Sequence, residues 1–182
     1  VSDDAEHEES IYLIGRNRAM WLGINLITAV LASLVIGLFD ATIQSFVALA
    51  VLMPIVASMG GNAGTQTLTV TVRQMALGEI DYQDAKKIIY KEVMISVVNG
   101  LLFAAVIGVV AYLWFNIPLL GVVIAISMII NLFSAGFFGA VIPIVLQKKG
   151  IDPAIGSTVI LTTVTDVVGF FSFLGLATLI LL

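Results

Sequence analysis

Long uncharged apolar stretches dominate the sequence. They cover residues 19–39, 41–72, 93–147 and 153–182, and Asp166 is the one charge inside them. About 20 helical residues cross the roughly 30 Å hydrocarbon core of a bilayer. An α-helix also satisfies its own backbone hydrogen bonds in lipid, which an isolated strand or loop does not. The pattern therefore predicts an all-α integral membrane protein.

Turn residues divide these stretches into five predicted spans. Residues 93–147 are too many for one crossing, and Asn116 and Pro118 mark the clearest break in that stretch. Alternatives with four or six spans require this stretch to be divided differently. The predicted spans are about 20–39, 43–72, 93–115, 117–146 and 155–182.

The basic residues support five spans. All eight precede the first span, or lie between spans two and three or between spans four and five. They are Arg16, Arg18, Arg73, Lys86, Lys87, Lys91, Lys148 and Lys149. Five spans place the whole set on one side of the membrane, as the positive-inside rule requires of the cytosolic face. We therefore expect a multi-pass protein of the cell membrane with a cytosolic N-terminus and an external C-terminus.

The charged segments outside the spans have simple interpretations. Residues 1–11 are acidic and predict either a solvated tail or a cytosolic helix whose carboxylates sense divalent cations. The connection 74–91 predicts a short amphipathic surface helix, for which Asp81 is a possible cap. Asp40 and Glu92 are placed at span ends, where charges are ordinary. We expect 20–182 to form the membrane domain, in a chain that is a fragment.

The second span contains the densest group of polar and flexible residues. Pro54 disfavours a straight helix and the glycines permit unwinding, so we expect this span to be interrupted there. Ser58, Gly61, Thr65 and Thr69 are spaced by three and four, which places them on one helical face. That face predicts either close helix packing or the wall of a pore. For the amide side chains Asn62 and Gln66, we favour a role in holding the interrupted backbone.

The last span carries a polar stripe around its acidic residue. Thr158, Thr162 and Asp166 are spaced by four, so they share one face of a helix. A carboxylate at membrane depth is unfavourable unless it meets a cation or a polar cavity. The predicted spans contain no Lys or Arg to pair with it. Asp166 is therefore a candidate cation ligand, with a protonated, hydrogen-bonded aspartate as the alternative.

Composition excludes several other functions. The chain has no cysteine and a single histidine, His7, so a thiolate or multi-histidine metal site is excluded. The sequence also offers no nucleophile and base pair. We therefore predict neither an enzyme nor a nucleic-acid-binding protein. A non-conducting membrane scaffold is also disfavoured, because a scaffold needs no isolated Asp166.

Two motifs resemble those of the MgtE family of magnesium channels. Residues 60–66, GGNAGTQ, follow the Pro54-containing segment and resemble the family's glycine–asparagine motif. Residues 165–171, TDVVGFF, resemble its last-helix motif, with the acidic residue in register. The resemblance covers about 20–182. The motif and structural positions it singles out are Pro54, Gly60, Asn62, Gly64 and Gln66.

The resemblance implies a homodimer in which Mg²⁺, as the transported ion, passes along the dimer axis between the second and fifth helices. Asp166 would face the hydrated ion. The pore wall would be Ser58, Gly61, Thr65, Thr69, Thr158 and Thr162. Residues 1–19 would be the end of an acidic linking helix, and we expect the N-terminal cytosolic regulatory domains of the family to lie outside this sequence. The alternative is a secondary transporter that exchanges a divalent cation for sodium or protons.

Overall fold

The computed structural model describes the backbone of residues 2–80, 82–154 and 156–182, and their side chains except those of 2–9 and 82. This part of the chain is almost entirely helical. The helices are α1 (Ser2–Gly37), α2 (Asp40–Ser45), α3 (Val47–Ala76), α4 (Ala85–Phe115), α5 (Pro118–Lys148) and α6 (Ser157–Leu181), with a 3₁₀ turn at Tyr82–Asp84. All but α2 are long and apolar enough to cross a membrane, which confirms the prediction of five spans.

Helix α5 lies at the centre of the bundle. It packs against α3, α4 and α6, while α1 packs on α6. Its Leu120, Ile124, Met128 and Leu132 are almost completely buried. Facing side chains from α3, α4 and α6 complete one apolar core. This arrangement leaves α1 and the outer faces of α3 and α4 exposed on the chain's own surface.

Helices α4 and α5 approach closely because small residues line their contact. A Cβ atom on Gly121 would lie 2.6 Å from the carbonyl oxygen of Gly108, and one on Gly100 would lie 3.4 Å from the Cα of Ile129. Ala104, which lies between Gly100 and Gly108 on α4, is only 4% exposed. Small residues allow such close contacts in membranes, where dispersion between helices replaces the hydrophobic effect as the attraction.

The predicted turn between the third and fourth spans is confirmed. Asn116 ends α4 in the left-handed conformation, with φ 55° and ψ 33°. Asparagine tolerates this conformation better than most residues other than glycine. Pro118 then begins α5, where its missing N–H would have had no helical partner.

The expected interruption of the second span at Pro54 and the glycines is wrong. Helix α3 continues through them, and the break in this stretch lies at Phe46, between α2 and α3. Pro54 removes one backbone hydrogen bond. Unwinding would leave several polar groups without water in the bilayer, at several kcal/mol each. A continuous helix containing the proline is therefore the less unfavourable solution.

The prediction of a separate surface helix in 74–91 is also wrong. Residues from Ala85 onward are the first turns of α4, so the third span begins earlier than predicted. Asp81 lies outside the described residues. Glu92 consequently lies inside a long helix and is only 9% exposed, although we expected an ordinary charge at a span end.

Candidate functional site

Asp166 opens into a polar cavity between α1 and α6. The cavity has a volume of about 480 Å³ and is lined on α6 by Thr158, Thr162, Thr163 and Asp166. Asn25 and Thr28 of α1 complete its polar wall, and no lysine or arginine lines it. Asp166 lies more than two helical turns after Ser157, the first residue of α6. At about 1.5 Å per residue, this position is near the middle of a bilayer core.

Helix α6 has an accessible polar face, formed by residues spaced four apart, and a buried face. Thr158 and Thr162 are exposed and Asp166 is half-buried, all towards the cavity. Thr165 is fully buried, and its hydroxyl donates to the carbonyl oxygens of Leu161 at 3.0 Å and Thr162 at 3.1 Å. The stripe that ends at Asp166 is therefore available to an ion or to water, whereas Thr165 is not.

The hydroxyl face of α3 points away from the bundle. Ser58, Thr65 and Thr69 are exposed, and a Cβ atom on the half-buried Gly61 would meet nothing within 4 Å. This face is therefore open on the surface of the single chain. It is free to contact water, lipid or a second copy.

The structure brings the two predicted stripes together at one end. Thr69 of α3 and Thr158 of α6 line one cleft of about 300 Å³ between the two helices, together with Arg73 and Pro153. Thr158 also lines the Asp166 cavity, so the two spaces share a wall. Ser58, Gly61 and Thr65 lie on the earlier turns of α3.

The motif residues of α3 divide between its two sides. Gly60 and Gly64 are buried, and a Cβ atom on Gly64 would lie 3.1 Å from Leu161 of α6. Pro54 and Asn62 are exposed, and the Asn62 Nδ2 donates to the Ser58 hydroxyl one turn earlier, at 3.2 Å. Gln66 is exposed and lines a different cleft, between α3 and α4.

Asn131 of α5 lies between the two sequence motifs; the sequence allowed a helix-packing role for this amide but did not predict which segments it would join. It is fully buried, and its Nδ2 donates to the Val56 carbonyl of α3 at 2.8 Å. A Cβ atom on Gly60 would lie 2.7 Å from its Oδ1, and one on Gly169 would lie 3.0 Å from its Nδ2. The two glycines therefore leave the space that the amide occupies between α3 and α6. The sequence signal for this role was a single amide side chain near the middle of a predicted membrane span.

The acidic residues that the structure describes are too far apart to form a multi-ligand metal centre within one chain. Within the described residues, no group of three or more His, Cys, Asp or Glu side chains is placed to hold an ion. Asp166 is the single acidic side chain lining its cavity. This geometry suits an ion that keeps its water shell and meets one carboxylate per chain, as Mg²⁺ often does.

Comparisons with known proteins agree with the membrane fold. Residues 53–176 match the MgtE family, described as divalent cation transporter. The chain is 32% identical over 175 residues to a protein named magnesium transporter MgtE from Bacillus subtilis, covering 96% of this chain and 39% of that protein. It is 31% identical over 164 residues to the magnesium transporter MgtE of Thermus thermophilus, covering 90% of this chain and 36% of that protein. The chain thus spans less than two fifths of the length of these relatives.

Proposed function

The chain belongs to the MgtE family of divalent cation transporters, and from this premise we propose that it passes hydrated Mg²⁺ through a pore shared by two copies. The observation that carries the proposal is Asp166, a carboxylate at membrane depth in a polar cavity without a basic neighbour among the lining residues. A cation is the partner that most directly offsets the unfavourable burial of such a charge.

Hydration chemistry favours Mg²⁺ over ions that are stripped of water. Mg²⁺ releases its waters reluctantly and is commonly held by one or two carboxylates while several waters remain. Threonine hydroxyls and the Asn25 amide line the cavity with groups that hydrogen-bond to such waters. Six waters occupy roughly 180 Å³ in the liquid. The cavity, at about 480 Å³, is larger than this volume and can hold a hydrated ion.

A shared pore would explain the outward hydroxyl face of α3. Ser58, Thr65 and Thr69 are exposed on the surface of the single chain, and Thr69 borders the cleft that it shares with Thr158 of α6. A two-fold axis beside α3 and α6 would enclose this face and bring two copies of Asp166 to one path. The pair would then balance the charge of one dication. In this arrangement the eight basic residues lie on the cytosolic side, together with the N-terminus.

Flux measurements distinguish this proposal from exchange transport. In liposomes that contain the purified chain and a Mg²⁺-sensitive dye, we expect Mg²⁺ entry down its own gradient, with sodium and pH equal on both sides. Bilayer recordings should show discrete conductance steps. Entry that requires an opposing sodium or proton gradient would instead support the secondary-transporter alternative.

Engineered cysteines test the shared pore, and the chain has no native cysteine to interfere. We expect Thr65→Cys and Thr162→Cys to react with water-soluble thiol reagents, or to cross-link between copies, because both side chains are exposed towards the proposed path. Mass spectrometry and non-reducing gels would measure labelling and cross-linking.

Two neighbouring buried positions provide the controls for this experiment. Thr71 and Thr165 are both fully buried. Since thiol reactivity depends on access, Thr71→Cys and Thr165→Cys should react at least about tenfold more slowly. If Thr65→Cys and Thr162→Cys resist both labelling and cross-linking in a conducting protein, the path does not run along these faces.

A further inference from the structure

A second polar cleft lies between α3 and α4. It has a volume of about 330 Å³, and Leu132 of α5 contributes to its wall. It shares no lining residue with the Asp166 cavity or with the Thr69 cleft. Its polar lining residues are Gln66, Thr67, Lys91, Glu92, Ser96 and Asn99. The cleft is therefore a separate space on another side of α3.

Glu92 is the buried charge of this cleft. The residue is only 9% exposed, and it lies two turns inside α4. Among the side chains that the structure describes, it forms no ion pair within 4.0 Å, and its carboxylate oxygens are not among the fully enclosed polar atoms that lack a hydrogen-bond partner. The carboxylate is therefore within reach of water or an ion in the cleft, and a cation there would offset the unfavourable burial of the charge.

The other lining groups favour a cation over an anion. Gln66 and Asn99 carry amide oxygens, and Thr67 and Ser96 carry hydroxyl oxygens. Oxygen donors of this kind suit hard divalent cations and the water molecules around them.

Lys91 is the one lining group that opposes a cation. It is exposed, and a lysine stem is long enough to carry its ammonium towards the membrane surface. Glu92 is buried and has no such freedom. An anion such as a lipid phosphate would be repelled by the buried Glu92 carboxylate. Because this carboxylate cannot move away as the Lys91 ammonium can, the cleft favours a cation.

We propose that Glu92 and the cleft around it bind a hydrated divalent cation, at a site separate from the Asp166 cavity. Six waters occupy roughly 180 Å³ in the liquid, which the cleft can hold together with the ion. The site depends neither on dimerisation nor on the path proposed above. It would make Gln66, within the GGNAGTQ motif, a contact of a bound ion outside the pore.

Mn²⁺ binding, measured by electron paramagnetic resonance, tests the site directly. The free ion has a six-line signal that decreases as it binds, so a titration counts sites on the purified chain in lipid nanodiscs. The experiment begins from Asp166→Asn, which removes the carboxylate of the proposed pore. In that background we expect a remaining class of bound Mn²⁺, whose affinity falls at least about tenfold in Glu92→Gln.

Two further variants fix the assignment. Glu79→Gln makes the same chemical change at an exposed position before α4 and should leave the affinity unchanged. Lys91→Gln should tighten binding, because it removes a positive charge from the lining of the cleft. Opposite changes from adjacent residues would not arise from a general loss of stability.

The outcomes separate this site from the proposed pore. Equal Mn²⁺ affinity in Asp166→Asn with and without Glu92→Gln would overturn the inference, whatever the flux measurements show. If Glu92→Gln does not elute as a folded species, Asn99→Ala, at an exposed lining position, takes its place. It should then weaken Mn²⁺ binding severalfold, and unchanged binding would count against the site.

Discussion

Replacing Asp166 with asparagine is expected to reduce Mg²⁺ flux about 100-fold, with the protein still folded in the membrane. The substitution keeps the side-chain size and removes the charge. Attraction between a carboxylate and a dication about 5 Å apart amounts to a few kcal/mol at the intermediate dielectric of a wet cavity. Since each factor of ten corresponds to about 1.4 kcal/mol, that loss is about two orders of magnitude. Dye-loaded liposomes would measure the flux.

Asp40→Asn is the matched control for this prediction. Asp40 is exposed at the start of α2, where it accepts a hydrogen bond from the Gln44 side chain at 2.9 Å. It lines none of the cavities described above, so the same chemical change there should leave flux within about twofold. Native flux through Asp166→Asn, at equal protein in the liposomes, would remove this carboxylate from the ion path.

Gly60→Ala is expected to destabilise the bundle by about 1–3 kcal/mol, the usual range for overpacking in a well-packed core. The added methyl group would overlap the Asn131 side chain, with 2.8 Å to its Cγ. Either the amide or helix α3 must then move. Thermal unfolding in detergent, followed by circular dichroism or tryptophan fluorescence, would measure the change.

The adjacent glycine provides a close control. A methyl group on Gly61 would meet nothing within 4 Å. Gly61→Ala should therefore leave stability unchanged or slightly higher, as alanine favours helix. The double variant Gly60→Ala, Asn131→Ala should be less destabilised than the sum of the two single variants. Strict additivity would contradict the proposed overlap between position 60 and the amide.

The membrane architecture was predictable because its determinants are local. Bilayer thickness sets the length of each span, and the backbone N–H and C=O groups must form their hydrogen bonds within each helix. The turn at Asn116 and Pro118 follows from the conformational properties of these single residues. The interruption expected at Pro54 was wrong because local helix propensity ignores the greater penalty for exposing backbone groups to lipid.

The candidate site was only partly predictable. The spacing of Thr158, Thr162 and Asp166 correctly placed them on one face, because helical periodicity alone decides that. Asn25 and Thr28 entered the Asp166 cavity only because α1 packs on α6. Sequence spacing carries no information about which distant helix supplies the opposite wall.

The sequence by itself determined an all-helical membrane protein with five spans, an isolated intramembrane carboxylate and two recognisable motifs. Tertiary structure decided which side of each helix faces protein. Lipid-facing and protein-facing sides are both apolar, so a hydrophobic pattern cannot separate them as it does in a water-soluble bundle. Only the packing of α3, α5 and α6 revealed Asn131 between Gly60 and Gly169. Likewise, only the path of α4 alongside α3 and α5 turned Glu92 from an expected surface charge into a buried one.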